Sequence, residues 1–252
     1  VKPEYAAGYR LLYERHWWWR AREALLLGEI ERHAPPGGWG RILDVGCGDG
    51  LFFDRLARFG VVQGVEADAT LVLEGSRHRA AIHIGPFDES FRPDARFGLI
   101  LMLDVLEHFE DPIRALERAR ELLAPGGRLL ITVPAFNSLW THHDDLNNHL
   151  VRYRKGTLAE AVAAAGLTVQ SSRYFMHWLV PVKLALRLLE HMGRRPRPPR
   201  VPPPWLNGLF FRVSRVEQSV LGSQGLPVGS SLLAWCGVPA ENGPSVPGPR
   251  AA

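Results

Sequence analysis

The stretch that most limits what this chain can fold into is Arg41-Ile42-Leu43-Asp44-Val45-Gly46-Cys47-Gly48-Asp49-Gly50-Leu51. Ile42, Leu43 and Val45 form an apolar run of the kind found in buried parallel strands. Glycines then alternate at Gly46, Gly48 and Gly50. Leu51, Phe52, Leu56 and Phe59 follow near helical spacing, which predicts a helix from about Asp49 to Phe59. Strand, glycine turn and helix together lay a ligand against bare backbone at a helix N-terminus. A Cβ in the turn would block that approach or forbid its backbone angles.

The run Val61-Val62-Gln63-Gly64-Val65-Glu66 reads as the next parallel strand, closed by a carboxylate. An acid about 20 residues beyond a glycine turn can accept hydrogen bonds from both ribose hydroxyls. The ligand therefore contains a nucleoside, either a dinucleotide or S-adenosylmethionine. The dinucleotide fingerprint G-x-G-x-x-G needs its third glycine one residue later, where Leu51 stands. Asp44 and Asp49 also repel a pyrophosphate but suit a ligand carrying an ammonium and a sulfonium.

Leu43-Asp44-Val45-Gly46-Cys47-Gly48-Asp49-Gly50 resembles motif I of the class I S-adenosylmethionine-dependent methyltransferases, and Val65-Glu66-Ala67-Asp68 resembles motif II. Leu101-Met102-Leu103-Asp104-Val105-Leu106-Glu107-His108 is similar to motif IV of the small-molecule branch, with its type 11 and type 12 members. Leu122 to Leu130, containing Pro125-Gly126-Gly127, resembles the helix-turn-strand that follows. Gly98 departs from the pattern, since many relatives carry Asp there. The resemblance implies an α/β, Rossmann-like, doubly wound sheet of seven strands in the order 3-2-1-4-5-7-6, the last antiparallel. It implies a cofactor site at Asp44, Gly46, Cys47, Gly48, Asp49, Gly50, Glu66, Ala67, Phe87, Asp88, Leu103, Asp104 and His108, with S-adenosylhomocysteine as product. Two other readings stay open: a non-catalytic module that binds S-adenosylmethionine, and an oxidoreductase of the NAD type.

Taken in order, 1–36 reads as an N-terminal helical cap, 37–176 and 229–240 as the core, 177–228 as an insertion between strands six and seven, and 241–252 as a disordered tail. His16-Trp17-Trp18-Trp19-Arg20 opens a helical stretch, and three successive tryptophans cannot share one helix face. They cover the sheet edge or wall the ligand, with His16 and Arg20 lining the site in the second case. Asp68 to Ser76 is a predicted helix, and Thr157 with Glu160 a predicted capping box. The insertion holds two apolar helices, Trp178–Met192 and Trp205–Leu221, joined by a stiff proline-rich stretch. It is a cap, a homodimer contact or a peripheral membrane contact through 177–221.

The 252 residues suffice for one α/β domain with an extension. A formal net charge of +4 is too mild to imply nucleic acid as partner. Cys47 and Cys236 suggest neither a disulfide framework nor a zinc pattern, and no apolar run reaches the ~20 residues that span a bilayer. With no leader visible, a cytoplasmic location is expected. After the fifth strand, Trp140 to Arg154 crowds His142, His143, Asp144, Asp145, His149, Arg152 and Tyr153 into one loop. His149, Arg152 and Tyr153 resemble a segment found in bacterial relatives. The loop offers metal-ligand types, but the spacing matches no closed site. It is instead expected to hold a small-molecule acceptor, with His108, His149 and His143 as candidate catalytic bases for methyl transfer to oxygen.

Overall fold

The computed structural model describes residues 3–193, 199–221 and 225–239. Two helices, α1 (Pro3–Arg15) and α2 (Trp17–His33), lead into an alternation of strands and helices: β1 (Gly40–Val45), α3 (Phe53–Leu56), β2 (Gly60–Glu66), β3 (Ile82–Ile84), β4 (Phe97–Leu103), α4 (Pro112–Leu122) and β5 (Leu123–Pro134). Next come α5 (His142–Leu146), α6 (Lys155–Ala164), β6 (Thr168–Phe175), α7 (Leu179–His191), α8 (Pro204–Leu221) and β7 (Ser231–Gly237). The seven strands form one sheet in the order β3-β2-β1-β4-β5-β7-β6. β1 to β5 pair in parallel, while β7 runs antiparallel to both β5 and β6. This is the order and polarity that the motifs imply.

One core fills each face of the sheet. On one side Leu43, Val45, Ile100 and Met102 pack against Leu116 and Ala119 of α4 and Val162 of α6. The buried residues of α4 recur as Ala115, Leu116, Ala119 and Leu122, the i, i+1, i+4, i+7 stripe of a sheet-covering helix. On the other side Ile42, Leu99, Leu101 and Trp235 pack against Trp17, Leu26 and Ile30 of α2. Trp235 is wholly enclosed, stacks on Trp39 at 5.9 Å and donates its ring N–H to Glu29 at 3.2 Å. All seven residues of β7 are buried, as its place between two strands requires.

Several local expectations are corrected. The helix predicted from Asp49 to Phe59 is reduced to the four residues of α3, because Gly50 sits at φ +69° and keeps the turn going. The helix predicted from Asp68 to Ser76 is a 3-10 turn over Ala69–Leu71. There the Leu73 N–H donates to the Asp49 carboxylate at 3.0 Å instead of to its own chain four residues back. Thr157 is not an N-cap: α6 begins at Lys155, and the Thr157 hydroxyl accepts the Arg154 N–H from inside the first turn. Gly98 has a steric reason, since a Cβ there would lie 2.1 Å from the Trp39 carbonyl oxygen. The aspartate of the relatives therefore does not fit unless that segment moves. The predicted tail 241–252 lies outside the described residues.

The insertion packs by its inner faces. Trp178 and Phe210 meet Trp17 at 5.2 and 5.4 Å, and Asn207 of α8 accepts the Trp17 N–H at 2.8 Å. Arg187 of α7 donates to the Asn137 and Ser138 carbonyls, and Glu190 accepts the His142 N–H. The outer face of α8 leaves Trp205, Leu209, Val213, Val216 and Val220 exposed along one helical stripe. No described helix is long and apolar enough to cross a membrane.

Candidate functional site

The sheet order reverses between β1 and β4, so their C-terminal ends open a crevice, the usual ligand position in such sheets. Gly46 and Asp104 stand on its two lips. Gly46 is at φ +72°, and a Cβ there would come within 2.5 Å of a Val105 methyl. Gly48 is at φ +54° with open space where a Cβ would point. That is the bare backbone the alternating glycines foretell.

Glu66, at the end of β2, is buried and already engaged. One carboxylate oxygen accepts the Gly48 N–H at 2.8 Å and the other the Asp68 N–H at 2.9 Å. Each oxygen keeps a second lone pair, so the group can also take two hydroxyls. Asp44 is 5% exposed, and no hydrogen bond reaches its carboxylate among the described residues. Burial pushes its pKa up to about 7, the Arg22 guanidinium pulling the other way and Glu66 adding to the rise. Asp49 is held differently: it pairs with Arg10 of α1 and accepts the Leu73 N–H. It thus pins α1 and the β2–β3 connection over the turn.

Other predicted cofactor residues are more scattered. The Cys47 thiol lies against Gly64, where burial raises its pKa. Ala67 is exposed, and Leu103 half-buried. Phe87 belongs to the core, 6.4 Å from Phe91. Asp88 accepts the Ser90 N–H, and that side chain's hydrogen bonding holds its carboxyl low.

Arg22 was not legible in the sequence as a site residue. It lies on α2, 9% exposed, and its Nη2 reaches Asp104 at 2.9 Å and the Thr132 hydroxyl at 3.2 Å. Its Nε is buried without a partner among the described residues, and its guanidinium lies over the Trp18 ring at 5.5 Å. Asp104 itself adopts φ +57° and accepts from Thr132 at 3.1 Å. Arg20, two positions earlier and about 200° round the helix, points away and stacks on Phe211. His16 caps α2 through the Trp18 N–H and is held neutral by burial, its pKa down at about 4. The signal for Arg22 was Trp18, one helical turn before it on the same face.

The segment after β5 is built around Asp144, which is fully buried at the start of α5. Arg152 grips it with two parallel bonds, Nε to one oxygen at 2.8 Å and Nη2 to the other at 2.9 Å, and donates Nη1 to the Ala135 carbonyl. His149 Nδ1 lies 2.8 Å from the same carboxylate. Burial opposes ionisation of Asp144, but the hydrogen bonds from His149 and Arg152 overcome it and hold the carboxyl below its ordinary value. Beyond His149, Glu107 is wholly buried with both carboxylate oxygens unpartnered among the described residues. Burial and the nearby Asp104 charge raise its pKa well above the usual range. His108 faces His149 edge-on, ring centres 4.9 Å apart. His143, the third predicted base, is exposed on α5 with its ring against Asn147, outside this group. Arg152 and Tyr153 are structural here, Arg152 behind Asp144 and Tyr153 buried with its hydroxyl toward the Leu106 carbonyl.

A cavity of about 1080 Å³ opens beside Asp49 and Gly50 and is lined by Tyr13, Arg20, Glu23, Arg55 and His78. It adjoins the glycine turn but does not include Glu66 or Asp104. Glu66 and Asp104 belong to the crevice at the ends of β2 and β4.

Residues 18–172 match the family described as a methyltransferase domain. The chain belongs to that family, the class I S-adenosylmethionine-dependent methyltransferases, whose cofactor is S-adenosylmethionine. It is 28% identical over 167 residues to the ubiquinone biosynthesis O-methyltransferase of Chelativorans sp. (strain BNC1), covering 64% of this chain and 56% of that protein. The enzyme of the same name from Coxiella burnetii (strain RSA 493) is 36% identical over 98 residues, 36% of this chain and 42% of that one. The chain thus spans about half the length of the curated relatives it matches. Among solved structures, the methyltransferase in complex with the Trm112 activator of Haloferax volcanii superposes with a TM-score of 0.60 at 17% identity, over 95% of this chain and 96% of that one. The [4+2]-cyclase SpnF follows with 0.56 at 19% identity, over 94% of each chain. Such neighbours share the fold, and a cyclase among them shows that the fold alone does not choose the reaction.

Proposed function

We propose that this protein transfers a methyl group from S-adenosylmethionine to an oxygen atom of a small molecule. The observation that carries the reading is the crevice with Glu66 on one side and the Glu107–His149–Asp144 group on the other. The cofactor supplies a methyl group on a sulfonium, whose carbon–sulfur bond breaks as the carbon–oxygen bond forms. Glu66 accepts from the ribose hydroxyls, and the Gly46–Gly50 backbone lies beneath the methionine portion. Asp44 faces the ammonium, and the unpartnered Arg22 Nε meets the carboxylate. Little covalent help is needed from the protein, so most of the catalysis is orientation. The acceptor hydroxyl must also lose a proton, and Glu107, His108 and His149 are the groups that face it. His149, set by Asp144, is central, and removing such a group costs ~10²–10⁴-fold in turnover. The test is incubation with S-adenosylmethionine and matched panels of hydroxy compounds and amines. S-adenosylhomocysteine should form with hydroxy compounds, and with His149→Ala that formation should collapse. Formation with amines alone would refute the oxygen assignment.

Asp44 gives this reading a pH signature. Its carboxyl ionises near 7, and only the ionised form attracts an ammonium. Affinity for S-adenosylhomocysteine is therefore expected to fall as pH drops below 7, approaching tenfold per pH unit. Calorimetric titrations at pH 6, 7 and 8 measure it. A flat profile in wild type, or the same slope in Asp44→Asn, would contradict the role.

We further propose that the outer face of the insertion rests on an anionic lipid surface. The exposed stripe of Trp205, Leu209, Val213, Val216 and Val220 runs beside exposed Arg212 and Arg215, the make-up of an interfacial helix. The protein should float with phosphatidylglycerol vesicles and not with neutral ones, and Val216→Asp should reduce flotation. A protein that stays at the bottom of the gradient in both cases excludes this contact.

A further inference from the structure

Glu107 places a carboxylate where neither solvent nor a hydrogen bond reaches it. Such a group is costly to bury unless something completes it. Two imidazoles face it. His149 Nε2 lies 3.9 Å from one Glu107 oxygen, while Nδ1 of the same ring lies 2.8 Å from Asp144. Asp144 has no proton to give, because Arg152 and the Thr141 N–H and hydroxyl occupy its oxygens as donors. The hydrogen of the Asp144–His149 bond is therefore on Nδ1, and Nε2 presents its lone pair toward Glu107. His108 closes the third side, and one donor atom from each of Glu107, His108 and His149 falls within 4.8 Å of the other two.

An imidazole oriented by a carboxylate, opposite a second imidazole and a naked carboxylate, is how proteins build cation sites. We propose that Glu107, His108 and His149 bind one divalent cation, and that the acceptor oxygen binds it too. Two nitrogens and one oxygen favour a borderline cation such as Zn²⁺ or Co²⁺ over Mg²⁺ or Ca²⁺, which prefer all-oxygen shells. Ligand atoms around a tetrahedral ion with bonds of about 2.0–2.1 Å stand roughly 3.4 Å apart. The group must therefore contract, by about half an ångström between His149 and Glu107 and by more toward His108, which is the exposed member of the three. Three protein ligands leave a position free for the acceptor. There the oxygen–hydrogen bond breaks, the proton passes to solvent, and the oxygen keeps the electron pair with which it attacks. His149 then serves as ligand, and the cation ionises the acceptor. This last step rests on the methyl-transfer reading; the cation site itself does not.

The test separates the two. Chelator-treated protein, with neither cofactor nor acceptor present, is titrated with Zn²⁺ by calorimetry, and Co²⁺ is added in parallel to read its visible absorption. One equivalent should bind, with the spectrum of a nitrogen-containing low-coordinate site. Glu107→Gln and His149→Ala should each weaken binding at least ~10-fold, a typical cost for losing a metal-shell group. His142→Ala, on the exposed side of α5, should leave it unchanged. Thermal unfolding of each variant shows that it is folded. No uptake by wild type, or uptake lost in His142→Ala but kept in Glu107→Gln, overturns the site. With the site confirmed, equal methyl transfer by chelated and Zn²⁺- or Co²⁺-loaded enzyme overturns its part in catalysis.

Discussion

Glu66→Ala should lose S-adenosylhomocysteine affinity by ~100-fold or more, since two hydrogen bonds to a charged group are removed at ~1.5–3 kcal/mol each. The effect has two physical sources. In the proposed complex the carboxylate accepts from the ribose, and it also holds the Gly48 and Asp68 N–H groups that shape the turn. Glu66→Gln separates them. It keeps an acceptor for one N–H but loses the charge, so it should bind with an intermediate affinity, weakened about tenfold. Calorimetry with both variants decides, after thermal unfolding has shown them folded. An affinity unchanged in Glu66→Ala would remove the ribose from this position.

Asp144→Ala should be the most destabilising single change in the acceptor loop. It leaves Arg152, 3% exposed, as a buried cation without its partner. Breaking a buried pair from one side costs ~3–5 kcal/mol. For a chain of this size that lowers Tm by about 10 °C or more. The pH dependence has a definite sign. The folded-state pKa of Asp144 lies below its ordinary value of 3.8, so its contribution is fully present above that value. It is lost as pH falls through the lower folded value. The gap between wild type and Asp144→Ala should therefore be constant from pH 5 to 8 and narrow only in strong acid. A loss under ~1 kcal/mol at neutral pH, the range of ordinary surface changes, would mean that Arg152 finds another partner.

The local codes of the fold were readable because each rests on neighbouring residues. Glycines at alternate positions and a strand closed by an acid each declare themselves within a few residues. What could not be read was what distant segments bring to one point. Arg22 reaches Asp104 from a helix far earlier in the chain, and Trp18 beside it marks the helix face but not the partner. In the same way Asp144 looks like a loop residue until Arg152 and His149 are seen closing on it. Glu107 stood in a recognised motif, yet only the absence of any partner in the folded core singles it out. The shortened α3 and the missing second crossover helix share one cause. Asp49 and Gly50 divert backbone groups that an uninterrupted helix would have used. Among the histidines, the sequence could rank but not choose: His108 and His149 converge, and His143 turns outward.

The central claim is that an S-adenosyl nucleoside lies in the crevice between the glycine turn and Asp104, its sugar on Glu66 and its sulfur toward the Glu107–His149 group. A crystal structure of the protein with S-adenosylhomocysteine tests this most directly. Both ribose hydroxyls should lie within hydrogen-bonding distance of the Glu66 oxygens, the ammonium near Asp44 and the carboxylate on Arg22. Density for the ligand in the larger cavity beside Arg20 and Arg55, or a ribose without contact to Glu66, would contradict it.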